Sequence, residues 1–218
     1  MTESVILRGL ENVGALRTDG HFVFPSGRHS DTFVDMDRVH AFPLLMNTVA
    51  NELASRFARD AGNIQVVVGV DRGGITLGHN VARLLNRFGG DEDPQIMAGM
   101  AEKDGSGFAL LHGYDKDVAG RKVLVVVDIV MSGDSVRSAV TAVKACGGNV
   151  VAVAAMANRE GTTADQLGIP RLECLLNLKL HSWDPPCKLC TQRVPLNTDI
   201  GHGRRVMSSL GAGTEESA

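Results

Sequence analysis

The sequence predicts an α/β protein with a mostly parallel, doubly wound sheet. Apolar strands alternate with amphipathic helices along the chain, and parallel strands need such crossover helices between them. Hydrophobic residues make up 44% of the 218 residues but aromatic residues only 4%. The apolar content is mainly Val, Leu and Ala, which suits strands covered by helices on both faces. Ligands of such sheets bind at the carboxyl ends of the strands.

Hydrophobic periodicity and turn residues assign the elements in chain order. Four helices are predicted, at residues 4–16, 42–60, 75–88 and 134–146. Eight strands are predicted, at residues 20–24, 31–36, 64–70, 95–101, 108–113, 122–128, 147–158 and 171–178. We expect one domain over residues 1–203. The Gly/Ser/Glu-rich tail at 204–218 is predicted to be disordered.

Composition excludes several classes of protein. The net charge of -3 gives no reason to expect a nucleic-acid partner. No apolar run approaches the roughly 20 residues that a membrane span needs, and the first residues, MTESVILRGLENVG, lack the basic and apolar regions of a signal peptide. Four cysteines are too few for a disulfide scaffold. We therefore expect a soluble cytoplasmic protein without a membrane or nucleic-acid partner.

The stretch VLVVVDIVMSGDSVRSAV, residues 123–140, has the composition of a phosphate-binding turn. A strand-to-helix turn offers free backbone N–H groups and the positive end of a helix dipole. Gly133 allows close approach, and Ser132 and Ser135 add hydroxyl donors. Asp128, at the strand end, is suited to ribose hydroxyls or a divalent cation. The alternative is an ordinary helix cap at Asp134. If the turn binds phosphate, we expect the Asp134 carboxylate to point outward, because it would repel the ligand.

The same stretch resembles the phosphoribosyl pyrophosphate (PRPP) signature of type I phosphoribosyltransferases. Three further blocks resemble orotate phosphoribosyltransferases, in order and with compatible spacing: GHFVFPSGRHSDTF, VVVGVDRGGITLGHNVARLL and LNLKLHSWDPPCKLCTQRVPL. The resemblance implies the type I fold with a small hood made from the two ends of the chain. It implies a glycosyltransferase of pyrimidine biosynthesis that transfers the phosphoribosyl group of PRPP to orotate. A homodimer is implied as well, and Mg²⁺ bound mainly through the substrate rather than by direct protein ligands.

The resemblance also assigns residues to PRPP. Arg72 and Gly73 lie in a loop that takes the pyrophosphate through backbone N–H groups, often with a strained backbone. Lys103 stands where the family has a catalytic lysine on a mobile loop that reaches the neighbouring subunit's site. Asp128 is expected to hold the ribose hydroxyls, and residues 132–135 the 5-phosphate. The alternative for Arg72 is a surface arginine in an ordinary turn, and the alternative for Lys103 is a solvated loop lysine.

Three residues are assigned to the acceptor base by the same resemblance. Phe33 stands where an aromatic side chain packs near the base, and Met131 where many members have a threonine. Arg159 stands where the family reads the orotate carboxylate. Simple core packing is the alternative for Phe33, and an ion pair with Glu160 or Asp165 is the alternative for Arg159.

The sequence departs from the family pattern at several positions. Val127 replaces the first of two acidic residues, and Met131 offers no hydroxyl. Gly107, Leu111 and His112 stand where the family has more basic residues. These departures leave two other functions open: a phosphoribosyltransferase with another acceptor base, and a non-catalytic regulator that binds PRPP or a nucleotide.

The pair Cys187 and Cys190 has the spacing of metal ligands, but one such pair is half a zinc site. Cys174, His181 and His202 could complete the site if the fold brings them close. The alternative is two reduced thiols in a C-terminal strap.

Overall fold

The computed structural model describes residues 2–24, 26–87, 95–178 and 180–212. The chain divides into two compact units. The core unit comprises Met1–Ile6 and His40–Lys179, and the terminal unit comprises Leu7–Val39 and Leu180–Ala218. The core unit confirms the α/β class with a mostly parallel sheet. The terminal unit draws on both ends of the chain, as predicted for the hood.

Two sets of elements make up the described residues. The strands are β1 (Leu16–Arg17), β2 (Phe22–Val23), β3 (His29–Ser30), β4 (Phe33–Val34), β5 (Val66–Val70), β6 (Met97–Asp104), β7 (Gly107–Ala109), β8 (Lys122–Val130), β9 (Asn149–Asn158) and β10 (Leu172–Asn177). The helices are α1 (Thr2–Asn12), α2 (Met36–His40), α3 (Pro43–Phe57), α4 (Asp71–Leu85), α5 (Tyr114–Val118), α6 (Asp134–Ala145), α7 (Ala164–Leu167), α8 (Lys188–Thr191) and α9 (Gly203–Ala212), with a 3₁₀ helix at Ala58–Asn63. Within these residues, no helix has the length and apolar character that crossing a membrane requires.

The central sheet has the strand order β10-β9-β8-β5-β6-β7. All neighbours are parallel except β7, which pairs antiparallel with β6 at the edge. Every residue of β5 is buried, as are positions 123–127 of β8, which explains why both stretches are apolar and rich in valine. Because β8 lies between β5 and β9, the carboxyl ends of these three strands are neighbours.

Helix α4 begins at Asp71, directly after β5 and four residues before its predicted start. Two consecutive glycines predicted a turn there because glycine is a poor helix former. Close packing outweighs that propensity: a Cβ on Gly74 would lie 2.5 Å from the Val126 carbonyl oxygen, and one on Gly69 would lie 2.4 Å from the Gly74 carbonyl oxygen. The segment DRGG is therefore the first turn of a helix and not a loop.

Strand β6 continues to Asp104, so Lys103 lies on a strand rather than on the predicted loop. It faces Phe108 of β7 in an antiparallel hairpin. Gly105, with a φ of +57°, takes the left-handed conformation in the turn. The predicted turn was too long because the polar residues of EKDGSG suit an exposed edge strand as well as a loop.

The terminal unit contains two small antiparallel pairs, β1 with β4 and β2 with β3. His29 also exchanges two backbone hydrogen bonds with Trp183, both of 2.8 Å, which ties the β2–β3 hairpin to the C-terminal segment. The rings of Phe22 and Phe24 pack on Phe33, with centroids 5.6 and 6.0 Å away. This aromatic cluster gives the unit an apolar centre.

The prediction of a disordered tail from residue 204 is wrong for the part that the structure describes, because Gly203–Ala212 forms α9. The His202 N–H donates to the Val23 carbonyl at 3.0 Å and anchors the start of the helix. After Gly203, the first turn contains Arg204, Arg205 and Met207, which are good helix formers. The small and acidic residues that predicted disorder are concentrated at 213–218, outside the described residues.

Candidate active site

Several predicted site residues of the core unit lie at the carboxyl ends of three neighbouring parallel strands. Arg72 and Gly73 lie in the first turn of α4, which follows β5, whereas Asp128 lies near the end of β8 and Arg159 follows β9 directly. The Arg159 N–H donates to the Val130 carbonyl at 2.8 Å and joins the ends of β8 and β9. This edge is where open α/β sheets bind ligands.

The junction between β5 and α4 has a strained backbone. Asp71 has a φ of +55°, a region that residues other than glycine seldom occupy. Its carboxylate accepts a hydrogen bond of 2.9 Å from the Arg72 N–H at the start of α4. The strained backbone that the resemblance implies for this segment is found at Asp71.

Gly73 leaves no room for a side chain in the first turn of α4. A Cβ at this position would lie 2.1 Å from Oδ2 of Asp128 and 3.0 Å from Nε2 of His40. The backbone at Gly73 therefore forms a narrow cradle that the Asp128 carboxylate and the His40 imidazole border directly.

Asp128 points a partly desolvated carboxyl group at this cradle. Burial raises the pKa of Asp128 above its ordinary value, although the Ile129 N–H and the nearby His40 act to lower it. The Ile129 N–H donates to Oδ1 at 2.7 Å. Oδ2 is the oxygen nearest the cradle, so it is the atom best placed to accept from a hydroxyl or to bind a cation.

His40 is a site residue that the sequence analysis missed. It ends α2, and both of its ring nitrogens are buried without a hydrogen-bond partner in the described structure. Buried polar groups are normally paired, and an unpaired one costs stability. Because His40 borders the same cradle as Asp128, its nitrogens are suited to meet a bound ligand there. A single histidine at a helix end carries no pattern that sequence reasoning could detect.

Lys103 contacts the β5–α4 junction of its own chain. Its Nζ lies 3.1 Å from Oδ2 of Asp71, and both side chains are partly exposed. Partial burial acts to raise the pKa of Asp71, but hydrogen bonds from Arg72 and Lys103 outweigh it and lower the pKa below its ordinary value. The Lys103 side chain and the backbone N–H of Arg72, two residues predicted to hold pyrophosphate, thus contact opposite oxygens of one carboxylate.

The serine turn between β8 and α6 presents free backbone donors. Gly133 is the residue that precedes the helix, with a φ of +84°, and no side chain caps the helix. The alternative interpretation of Asp134 as a cap is therefore wrong, and the first N–H groups of α6 have no intrahelical acceptor. The Asp134 carboxylate accepts hydrogen bonds of 2.6 Å from both Ser132 Oγ and Arg137 Nη2. These bonds lower the pKa of Asp134 and hold its charge on the Arg137 side.

An open polar cleft of about 380 Å³ adjoins this turn. Its lining includes Ser132 and Arg137 from the β8–α6 segment and Glu160 and Thr162 from the loop after β9. The Thr162 hydroxyl donates to the Met131 carbonyl at 2.6 Å, so the two segments are tied together. Arg137 is a second residue that the sequence analysis missed, because its place beside the turn depends on the helix position.

Arg159 is buried, with 7% of its surface exposed, and its Nη2 donates to Oε1 of Glu160 at 3.1 Å. The ion pair with Glu160 that was left open as an alternative is therefore present. Glu160 is more exposed than Arg159. The side chain of Met131, at the end of β8, is exposed.

The remaining predicted residues lie in the terminal unit. Phe33 belongs to the aromatic cluster described above, so core packing accounts for its position. Cys187 and Cys190 lie together, with their Sγ atoms 3.7 Å apart. Among the described residues the group around them contains His21 and His29, and none of Cys174, His181 and His202. Cys174 lies in β10, where burial and the neighbouring Glu173 raise the pKa of its thiol to about 12.

Comparison with known proteins places this site in a family. Residues 36–187 match the family described as phosphoribosyl transferase domain. The orotate phosphoribosyltransferase of Caldicellulosiruptor bescii is 34% identical over 197 residues, which cover 90% of this chain and 96% of that protein. That of Thermotoga maritima is 36% identical over 187 residues, 85% of this chain and 92% of that protein. The chain therefore belongs to the phosphoribosyltransferase family and, within it, to the orotate phosphoribosyltransferases, as the motifs predicted.

Solved structures agree with this assignment. The orotate phosphoribosyltransferase of Mycobacterium tuberculosis in complex with Fe(III) dicitrate superposes with a TM-score of 0.64 and 25% identity, covering 82% of this chain and 97% of that chain. The same protein in complex with PRPP has a TM-score of 0.53 and 26% identity, covering 66% of this chain and 80% of that chain. The type I phosphoribosyltransferase fold predicted from the sequence is confirmed.

Proposed function

We propose that this chain transfers the phosphoribosyl group of PRPP to orotate, giving orotidine 5′-phosphate and pyrophosphate. One observation carries the proposal: two helices, α4 and α6, begin at the carboxyl ends of adjacent strands, β5 and β8, and the residue that precedes each helix, Val70 or Gly133, provides no side-chain cap. Helix N-termini attract anions through free N–H groups and the helix dipole. PRPP carries two phosphorylated ends and therefore suits a pair of such termini.

The first turn of α4 is the proposed pyrophosphate site. Gly73 lets the backbone approach the ligand, and Arg72 adds a fixed cation with bidentate geometry. Lys103 supplies a second cation, and Asp71 already holds it at the start of α4. Charge builds up on pyrophosphate as its bond to the anomeric carbon breaks, so these cations stabilise the leaving group in the transition state.

The turn from Ser132 to Ser135 is the proposed 5-phosphate site. Its N–H groups and serine hydroxyls would bind the phosphate, while Asp134 stays turned toward Arg137. Asp128 lies between the two anion sites along β8, where Oδ2 would accept hydrogen bonds from the ribose hydroxyls. With both ends of PRPP held, the anomeric carbon is positioned for attack by a ring nitrogen of the base.

The residues present fit an Mg²⁺ ion that arrives with the substrate. Mg²⁺ is bound through one or two carboxylates together with substrate phosphates and water, and Asp128 offers one carboxylate oxygen at the cradle beside the unpaired His40. When bound, Mg²⁺ would neutralise charge on the leaving pyrophosphate. Asp128 would orient the ribose side of that complex, directly or through water.

The acceptor side rests on two core-unit residues that the resemblance assigns, Met131 and Arg159. Arg159 is the best supported, because a buried guanidinium with a more exposed carboxylate partner can exchange that partner for a ligand carboxylate. The orotate carboxylate would replace Glu160 in that pair. Membership among the orotate phosphoribosyltransferases supports orotate over the other acceptor bases left open by Met131 and Val127.

The proposal includes a cytoplasmic homodimer that acts on small molecules, without nucleic acid or membrane as a partner. The test incubates the full chain with PRPP and Mg²⁺ and offers orotate, uracil, adenine and hypoxanthine in turn, while pyrophosphate release is measured. We expect release with orotate alone, and none when Mg²⁺ is chelated. If pyrophosphate is released only with another base, that base is the acceptor in place of orotate. Tight PRPP binding without pyrophosphate release with any base would support the alternative of a non-catalytic regulator.

A further inference from the structure

Four metal-ligating side chains of the terminal unit converge on one point. His21, His29, Cys187 and Cys190 each direct a ligand atom there, and all four atoms lie within 4.8 Å of one another. We propose that these residues bind one Zn²⁺ ion in a closed, structural site. The site is separate from the proposed transfer chemistry and does not depend on it.

The distances among the four ligand atoms approach those of a zinc tetrahedron. Sulfurs about 2.3 Å and nitrogens about 2.05 Å from a central Zn²⁺ are separated by about 3.8 Å for S–S and about 3.5 Å for S–N. The Sγ atoms of Cys187 and Cys190 are 3.7 Å apart. The four distances between these sulfurs and the ring nitrogens of His21 and His29 are 3.5, 3.6, 3.8 and 3.4 Å.

The sixth edge, between the two ring nitrogens, is the shortest. Nε2 of His21 lies 2.8 Å from Nδ1 of His29, against about 3.3 Å for two nitrogens on the same ion. A shift of about half an ångström between two side chains on a short hairpin would accommodate the ion. A regular tetrahedron needs no other change, because the remaining edges already match.

Local structure explains why these four residues meet. The β2–β3 hairpin pairs Val23 with His29 and so brings His29 beside His21. Cys187 directly precedes α8 and Cys190 lies within it, so their side chains, three residues apart, share one helix face. The backbone pair between His29 and Trp183 holds the hairpin against the segment that leads to α8.

Supporting contacts favour ligation over simple packing. Nδ1 of His21 lies 2.7 Å from the Val194 carbonyl oxygen. Because only a protonated Nδ1 can donate to that oxygen, Nε2 is left with its lone pair toward the cluster, which is the usual arrangement of a metal-binding histidine. Burial of His21, His29 and Cys187, at 2%, 6% and 4% exposure, excludes water from three sides.

The chemistry of the donor set selects the metal and its role. Two thiolates and two imidazoles in tetrahedral geometry are typical of structural zinc, and four protein ligands leave no open position for catalysis. The histidines and cysteines are more than 150 residues apart in sequence. The ion would therefore cross-link the N-terminal hairpin to the C-terminal segment, as a disulfide does in oxidised proteins.

Metal analysis of the full chain tests the proposal. Protein produced with added zinc and purified without chelator should contain about one zinc per chain. Cys190→Ser and His29→Ala should lose it, whereas Cys174→Ser, a matched substitution of a cysteine outside the cluster, should retain it. After chelation, Co²⁺ should give the intense visible bands of a tetrahedral sulfur-containing site, and the melting temperature should fall and then recover when zinc is restored.

A measurement on the wild-type chain tests the proposal even if the variants fail to fold. A thiol reagent should modify two more cysteines after chelation than before it. The proposal is overturned if wild-type protein holds no zinc and gives no tetrahedral Co²⁺ spectrum. It is also overturned if Cys190→Ser keeps the zinc, or if the mass of freshly purified protein shows a Cys187–Cys190 disulfide.

Discussion

The position that a Cβ on Gly73 would take is already filled by the side chains of Asp128 and His40. We expect Gly73→Ala to displace Asp128 Oδ2 and to reduce PRPP affinity about 10-fold or more, since even one misplaced group of this kind disturbs ligand geometry. Calorimetry with PRPP and Mg²⁺ measures the loss. Gly62→Ala is the matched control, because nothing lies within 4 Å of its added Cβ; equal affinity in both variants would contradict the cradle.

Asp128 links stability to pH in a direction set by its raised pKa. The folded state holds the proton more tightly than the unfolded state, so this group contributes stability that is present below its ordinary pKa of 3.8 and is lost as pH rises through the higher folded pKa. Asp128→Asn should therefore unfold with a higher free energy than wild type at neutral pH, and the difference should vanish in acid. Denaturation at several pH values measures this, and a variant less stable at neutral pH would refute it.

Arg159 is expected to discriminate between the two substrates. Removing one partner of a buried charge pair commonly costs about 2–5 kcal/mol, so Arg159→Ala should lower kcat/KM for orotate roughly 30-fold or more. Its PRPP affinity should stay near the wild-type value, because the predicted phosphate contacts lie elsewhere. Arg83→Ala, an exposed arginine of α4, serves as the control. Equal losses for orotate and PRPP would show that Arg159 acts on the fold and not on the base.

For individual residues, the sequence predicted the position in the site of those that belong to a local pattern. Asp128 and the serine turn follow a strand directly, so their place at its carboxyl end could be inferred. The role of His40 could not be inferred, because it reaches the cradle through the packing of α2. The sequence also could not decide whether Arg159 pairs with Glu160 or with Asp165. Side-chain partners from separate elements depend on distances that periodicity does not contain.

At the scale of elements, strands were predicted better than the segments between them. The buried valine runs of β5 and β8 identify themselves by composition. The start of α4 and the length of the β6–β7 hairpin were predicted wrongly, because glycine and polar residues favour turns locally while close packing and strand pairing decide otherwise. Both errors fall at the proposed pyrophosphate site, where the backbone is also strained.

The ion pair between Lys103 of β6 and Asp71 at the start of α4 allows the effect of a substitution on catalysis to be measured apart from its effect on stability. Lys103 and Asp71 form an exposed pair, and such pairs contribute about 0–1 kcal/mol. We expect Lys103→Ala to leave the free energy of unfolding within about 1 kcal/mol of wild type while kcat falls by about 10²-fold, as for other lost transition-state charges. Lys144→Ala on α6 is the control. Unchanged kcat in Lys103→Ala would remove this lysine from the site.

For the whole chain, the sequence predicted a hood made from both chain ends, but not which side chains contact one another within it. The sequence shows the CxxC pair, but the partners considered for it, Cys174, His181 and His202, lie outside the cluster. His21 and His29 meet the cysteines only after the two ends of the chain form one unit. Contacts of such long sequence separation carry no local signal.

The proposed homodimer can be tested together with the subunit that Lys103 serves. Light scattering should give about twice the chain mass of 23.1 kDa, because cyclic dimers are the commonest assembly.

The resemblance implies that Lys103 acts on the PRPP bound to the neighbouring subunit. Because Lys103 contacts Asp71 of its own chain, we expect it to act instead on the PRPP of its own subunit. Co-expression of Lys103→Ala with Asp128→Asn should then yield mixed dimers that remain inactive. If each lysine instead served the neighbouring subunit, random pairing would restore about a quarter of the wild-type sites, since half the dimers would be mixed and each would hold one intact site. Differently tagged chains allow the mixed dimers to be isolated, and co-expressed wild-type chains provide the reference activity.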